Sequence, residues 1–310
     1  MSKLLALGSA LFVSSLAHAS FELTFVLDNA GTGNVQVKRF DPNTGAFLGA
    51  FGRGIIQNPP YGLALDQASN ICYVGMFSGA VQRFNMYTGE FMGEYAFSVS
   101  STGYSSVSLS GNLLRSIGSS IGIFSSTGLL NSTFGGGLGA YYSSVVQAAN
   151  GNYYALDGTL NRLYSFSSTG TFLSYMNINS AYSFNDLKTY GNKVIWSTTD
   201  FNVANNDRIY SVDTVAGGAG NYRVWNPGVP TYTLRGASLG HDNVVHYSYM
   251  NASNQAVIGS MSINTGTVYG TFGAGNLSFA LGQQTVNTPE PGTWAALGLG
   301  ALAILRRRSR

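Results

Sequence analysis

Gly236-Ala237-Ser238-Leu239-Gly240 has the G-x-S-x-G spacing of a hydrolase nucleophile. That elbow needs a strand, a sharp turn and then a helix. Here the segment aligns with YGLALD from Tyr61, a strand pattern, and HDNVVHYSY follows it as another strand. Ser238 therefore reads as a strand serine. His241 and His246 are the only histidines after His18. Five apart, they do not share one face of a strand, and they form no H-E-x-x-H pair. Asp242 beside His241 reads as turn chemistry. Asp41-Pro42-Asn43-Thr44-Gly45 imitates the start of a calcium loop, but Gly52 stands where the twelfth-position glutamate belongs. A hairpin turn explains the same residues. No glycine-rich stretch leads into Gly-Lys-Ser/Thr, and Gly135 to Gly139 reads as a join between repeat units. The sequence thus offers no catalytic residue, no metal site and no cofactor site.

Two other sets could bind. Tyr61, Tyr104, Tyr142, Tyr182 and Tyr232 recur at equivalent points of a repeat, and Asp186 and Arg235 are charges inside strand patterns. Their meaning depends on what positions them.

The repeat is a strand, a turn ending in Thr-Gly, and a second strand ending in an aromatic residue. It appears as VQVKRFDPNTGAFLGAFG from Val35, AVQRFNMYTGEFMGEYA from Ala80, IGIFSSTGLLNSTFG from Ile121, RLYSFSSTGTFLSYM from Arg162 and VIGSMSINTGTVYGTFG from Val257. A degenerate copy, RIYSVDTVAGGAGNYRVW, starts at Arg208. The turn glycines Gly45, Gly89, Gly128, Gly170, Gly217 and Gly266 are spaced by 44, 39, 42, 47 and 49 residues. Glycine supplies the positive φ such hairpins need. Two more strand patterns precede each hairpin, so each unit holds four strands, the blade of a β-propeller. The first unit begins at FELTFVLDN from Phe21 and lacks a first strand, while NLSFALGQ from Asn276 is surplus at the other end. The expected fold is all-β: a six-bladed propeller closed by a C-terminal strand. It resembles the NHL- and YVTN-type propellers, and no WD dipeptide or kelch double glycine is present.

First strands line a propeller's channel. The five tyrosines could ring its mouth and offer flat faces to a sugar polymer. The alternative, which we favour, packs each one between blades with its hydroxyl on backbone. Asp186 and Arg235 would face the channel, where buried charges need partners.

Charged residues are 9% of the 310, Gly numbers 40, and Tyr and Phe number 19 and 18, a composition that suits an all-β fold. The formal charge of +3 comes from the ends. Setting aside Lys3, Arg306, Arg307, Arg308, Arg310 and Glu290 leaves 11 basic and 12 acidic residues, so no basic face recruits nucleic acid. Cys72, the sole cysteine, excludes an intramolecular disulfide and reads as a buried apolar residue.

The first 19 residues have the order of a secretion signal: Lys3, an apolar run from Leu4 to Leu16, and the small-x-small site Ala17-His18-Ala19. The last residues run Pro289-Glu290-Pro291, an uncharged stretch from Trp294 to Leu305, then arginines. Counted from Gly292, that stretch spans about 21 Å as a helix, short of the ~30 Å hydrocarbon core. The order resembles the PEP-CTERM sorting signal. The resemblance implies recognition by an exosortase in the inner membrane of a Gram-negative bacterium, cleavage near Pro289-Glu290-Pro291, and delivery to the cell surface or extracellular matrix. The expected organisation is 1–19 signal peptide, 20–287 propeller and 288–310 sorting tail with a short transmembrane helix. The leading functional reading is a surface or matrix protein that binds or is structural, with extracellular polysaccharide or a surface protein as partner. The rival is a propeller enzyme, a metal-dependent lactonase-like hydrolase or a polysaccharide lyase. Against it, Glu22, Glu90 and Glu94 are the only glutamates outside the two ends, and none lies in a later first strand.

Overall fold

The computed structural model describes residues 20–29, 34–56, 60–76, 78–96, 105–108, 110–178, 183–199, 207–214, 222–229 and 234–289. Within them the chain forms six four-stranded antiparallel sheets. The first holds β1 (Ser20–Asn29), β2 (Val35–Phe40) and β3 (Phe47–Phe51). The second holds β4 (Pro60–Asp66), β5 (Ile71–Met76), β6 (Ala80–Asn85) and β7 (Phe91–Ala96). The third holds β8 (Ser105–Val107), β9 (Leu113–Ile117), β10 (Ser120–Phe124) and β11 (Leu130–Phe134). The fourth holds β12 (Tyr142–Gln147), β13 (Tyr153–Asp157), β14 (Arg162–Phe166) and β15 (Phe172–Asn177). The fifth holds β16 (Ser183–Tyr190), β17 (Lys193–Thr199), β18 (Arg208–Asp213) and β19 (Tyr222–Trp225). The sixth holds β20 (Gly236–Leu239), β21 (Val244–Met250), β22 (Ala256–Ser262) and β23 (Val268–Leu277). β24 (Ala280–Pro289) returns to complete the first sheet beside β1.

The innermost strands touch in the order β24, β4, β8, β12, β16, β20 and back to β24. The array is therefore a closed six-bladed propeller. Six apolar clusters hold it, one between each successive pair of sheets. The aromatic, β-branched strands suit this sheet-on-sheet packing. The helical content of the described residues is one 3₁₀ turn, His241–Asn243.

The Thr-Gly hairpins show why glycine recurs. In the first, Asp41 caps its own turn: Oδ1 accepts from the Asn43 N–H at 2.9 Å, and the Gly45 N–H donates to the Asp41 carbonyl at 2.7 Å. Gly45 has φ +74°, where a side chain would be strained. There is a second constraint. A β-carbon on Gly45 would lie 2.7 Å from Phe272, and one on Gly89 would lie 2.5 Å from Phe51. Gly170 and Gly266 meet Phe134 and Trp225 in the same way. These four turn glycines thus press on an aromatic residue of the preceding blade's outer strand. The Thr-Gly turn and the terminal aromatic recur together because they touch.

Ring closure differs from the expectation by a few residues. β23 runs on to Leu277, and the closing strand starts at Ala280 rather than Asn276. The Asp28 carboxylate sets this point. Its Oδ1 accepts the N–H groups of Ser278 and Phe279 at 2.8 and 2.7 Å, and its Oδ2 pairs with Lys38 at 2.7 Å. From there β24 pairs with β1 from Asp28↔Ala280 to Ser20↔Pro289. The propeller therefore extends two residues past the expected boundary at 287 and takes in Pro289.

Candidate functional site

The channel is crossed by a charge pair. Asp186 and Lys188, two apart on β16, point the same way and are 1% and 3% exposed. Their ion pair is 2.5 Å, and Lys188 Nζ also donates to the Leu63 carbonyl at 2.5 Å. Leu63 lies on β4, the inner strand of the opposite blade, so Lys188 bridges the ring. Asp186 Oδ1 accepts from the Ser144 hydroxyl at 3.1 Å, and that hydroxyl accepts the Leu187 N–H at 3.0 Å. Burial pushes the Asp186 carboxyl above its ordinary range, and Lys188, Ser144 and the Leu187 N–H pull it back. Both oxygens of Asp186 are thus engaged inside the protein.

The other sequence candidates lie apart. Arg235 precedes β20 with its guanidinium 4.8 Å from the centre of the Phe279 ring. Tyr142 is fully buried, donates its hydroxyl to the Gly135 carbonyl at 2.9 Å and stands edge-on to Tyr164. Burial pushes its hydroxyl pKa up. Its cluster joins the third and fourth blades. Tyr61 lies on β4, and Tyr104, Tyr182 and Tyr232 fall outside the described residues, as do Ala17, Ala19, Glu290 and Pro291. Pro289 ends β24. Cys72 is buried, and burial pushes its thiol pKa up.

The seam between the sixth and first blades is where polar chemistry gathers. Ser238, His246 and Ser260 stand directly opposite one another on β20, β21 and β22, so they share one face. That face looks onto the first blade. Ser238 Oγ lies 2.9 Å from Thr285 Oγ1, and Thr285 lies 3.0 Å from Thr24. A buried strand serine with these partners, followed only by a three-residue 3₁₀ turn and then β21, is no nucleophile elbow. Farther out the seam opens into a cavity of about 590 Å³, lined among others by Glu22, Asp242, His246, Ser260 and Tyr269. Glu22, from the start of β1, is buried and presses against Gly240, whose absent β-carbon would sit 2.8 Å from Oε1. His246 is 3% exposed, and its Nδ1 lies 2.9 Å from Ser260 Oγ. Its Nε2 is buried without a hydrogen-bond partner among the described residues.

In the sequence His246 carries no site signal, because it shares no strand face with His241. The signal that could have found it is ring closure, which places Glu22 beside the sixth blade. No group of three His, Cys, Asp or Glu side chains among the described residues is arranged to hold a metal ion.

Burial pushes the His246 imidazole down from 6.5 to about 4, so it is neutral at pH 7. The unfolded chain takes up this proton below 6.5 and the folded chain does not until about 4. Stability is therefore expected to fall between those values by roughly 3 kcal/mol, and to be unchanged by this group above pH 7. Urea denaturation from pH 4.5 to 7.5 checks this. His246→Gln should remove that part of the slope, and an unaltered slope would refute it.

Residues 287–310 match the PEP-CTERM protein-sorting motif. No curated protein matches the chain in sequence. Among solved structures, a chain of the nidogen/laminin complex superposes with a TM-score of 0.63 at 16% identity, covering 85% of this chain and 97% of that one. A protein of unknown function from Bacteroides caccae gives 0.62 at 11% identity, covering 86% and 99%. The Swd1 β-propeller domain of Myceliophteria thermophila gives 0.53 at 10% identity, covering 77% and 80%. At these identities the likeness is of fold. The chain is a six-bladed propeller carrying a C-terminal sorting motif, which implies exosortase-type processing. No helix among the described residues is long and apolar enough to cross a membrane, and the tail lies outside them.

Proposed function

We propose that this exported propeller is a binding protein of the cell surface or extracellular matrix, and that its partner is extracellular polysaccharide. The observation that carries the reading is the joining of a sorting motif at 287–310 to a near-neutral, aromatic-rich propeller. Export with exosortase-type processing gives it the compartment, and a charge-poor surface avoids indiscriminate ionic binding. Exposed aromatic residues on the outer strands, Phe91, Phe172 and Tyr175 among them, add flat amphipathic contact area.

The enzyme reading has less support. Among the described residues the channel holds a closed Asp186–Lys188 pair. Ser238, the one residue in a nucleophile motif, has its hydroxyl on Thr285.

The test is co-sedimentation of the purified full-length chain with matrix polysaccharide stripped of protein. The chain should pellet with the polysaccharide and stay in solution without it. A chain left in the supernatant at every polysaccharide concentration would sink the reading.

A further inference from the structure

We propose that the cavity at the seam between the sixth and first blades binds one unit of a saccharide, and that this unit is uncharged or carries an amino group. The proposal rests on the polysaccharide reading above and deepens it. The cavity, about 590 Å³, is within the usual range for ligand sites. Three features of its walls choose the ligand class.

The first is Tyr269 on β23. It lines the cavity and is 62% exposed, so a large aromatic ring stands in water at its lip. Such a ring offers a flat apolar face with a polar tip, the surface that the C–H edge of a sugar ring covers. The second is His246. It lines the cavity, its Nε2 is buried without a hydrogen-bond partner among the described residues, and a ligand hydroxyl that reaches it, able both to donate and to accept, satisfies it in either tautomer. Ser260 fixes the other ring nitrogen. The third is charge. Glu22 and Asp242 both line the cavity, whereas no lysine or arginine among the described residues does, and burial keeps His246 neutral at pH 7. Carboxylates accept hydroxyl and ammonium protons, while a uronate would meet like charge at short range.

The two ends of the chain build this site together. Glu22 comes from the start of β1, and the other walls come mainly from β21 to β23. It therefore exists only in the closed ring.

The experiment titrates the purified full-length chain with three tetrasaccharides: a neutral glucan, a glucosamine oligomer and a galacturonate oligomer. Calorimetry and NMR chemical shifts follow binding. The neutral and amino oligomers should bind, and the galacturonate should bind at least about tenfold more weakly. Tyr269→Ala, an exposed position that should leave folding intact, should weaken binding about tenfold. His246→Gln should weaken it too, while Leu129→Ala, at an exposed position on the distant third blade, should not. Failure of all three oligomers to bind, equal binding of the galacturonate, or indifference to Tyr269→Ala would overturn the proposal. Co-sedimentation of Tyr269→Ala separates the two claims. If it still pellets with matrix polysaccharide while the seam binds nothing, the polysaccharide reading stands and the site falls.

Discussion

A chain ended at Phe279 is expected to lose the cooperative unfolding transition that a chain ended at Pro289 keeps. β24 supplies the innermost strand of the first blade, and its side chains reach three blades at once. Val286 is buried in the cluster between the first and second blades, and Gln284 accepts the Leu65 N–H at 3.1 Å. Thr285 and Gln283 both meet Ser238 on the sixth blade. Removing the strand bares the hydrogen-bonding edge of β1 and opens two blade interfaces. Domain stabilities are about 5–15 kcal/mol, so losing a whole strand with its share of two interfaces consumes that margin. Thermal melting by circular dichroism and limited proteolysis check it. A chain ended at Phe279 that melts within a few degrees of the longer one would refute the clasp. The boundary also constrains processing. Asn287, Thr288 and Pro289 belong both to β24 and to the matched sorting motif. A cut beyond Pro289 leaves the ring closed, whereas one inside β24 strips pairs from β1.

Much of this was readable from the chain because the features are local or periodic. Five Thr-Gly turns and one degenerate copy mark six units, and a missing first strand in one end unit with a surplus strand in the other marks the closure. Gly217 lies outside the described residues, yet its blade is present as β16 to β19. What escaped is what the ring brings together from far apart in sequence. Asp186 reads as a charge needing a partner, and strand periodicity puts that partner, Lys188, on the same face. That Lys188 also reaches Leu63 follows only from placing the second and fifth blades opposite each other. The seam cavity was hidden for the same reason, since Glu22 and His246 are 224 positions apart. The start of β24 was misjudged by four residues because Asp28, at the far end of the chain, decides where the turn before it ends.

The channel pair gives the second large expected effect. Asp186→Ala leaves the Lys188 ammonium with only backbone carbonyl contact at the centre of the ring, and Lys188→Met leaves the Asp186 carboxylate without its cation. Each should cost about 3–5 kcal/mol at pH 7.5, since stranding one buried charge costs more than the intact pair contributes. Replacing both, as Asp186→Leu with Lys188→Met, should cost far less than the sum, because no charge is left to desolvate. Lys188→Met should then respond to acidification. Burial already lifts the Asp186 pKa above its ordinary value, and without Lys188 the lift grows. A carboxyl whose folded pKa is raised destabilises the fold above that pKa and ceases to do so once it is protonated. The deficit of Lys188→Met relative to the wild type should therefore shrink between pH 7.5 and pH 5, as its stranded carboxyl takes up a proton. His246 contributes equally to all four proteins and cancels in the comparison. Urea titrations of the wild type and three variants at the two pH values form the cycle. Additive losses, or a Lys188→Met deficit that does not change between the two pH values, would mean that the pair is not the buried, water-poor bridge across the channel described here.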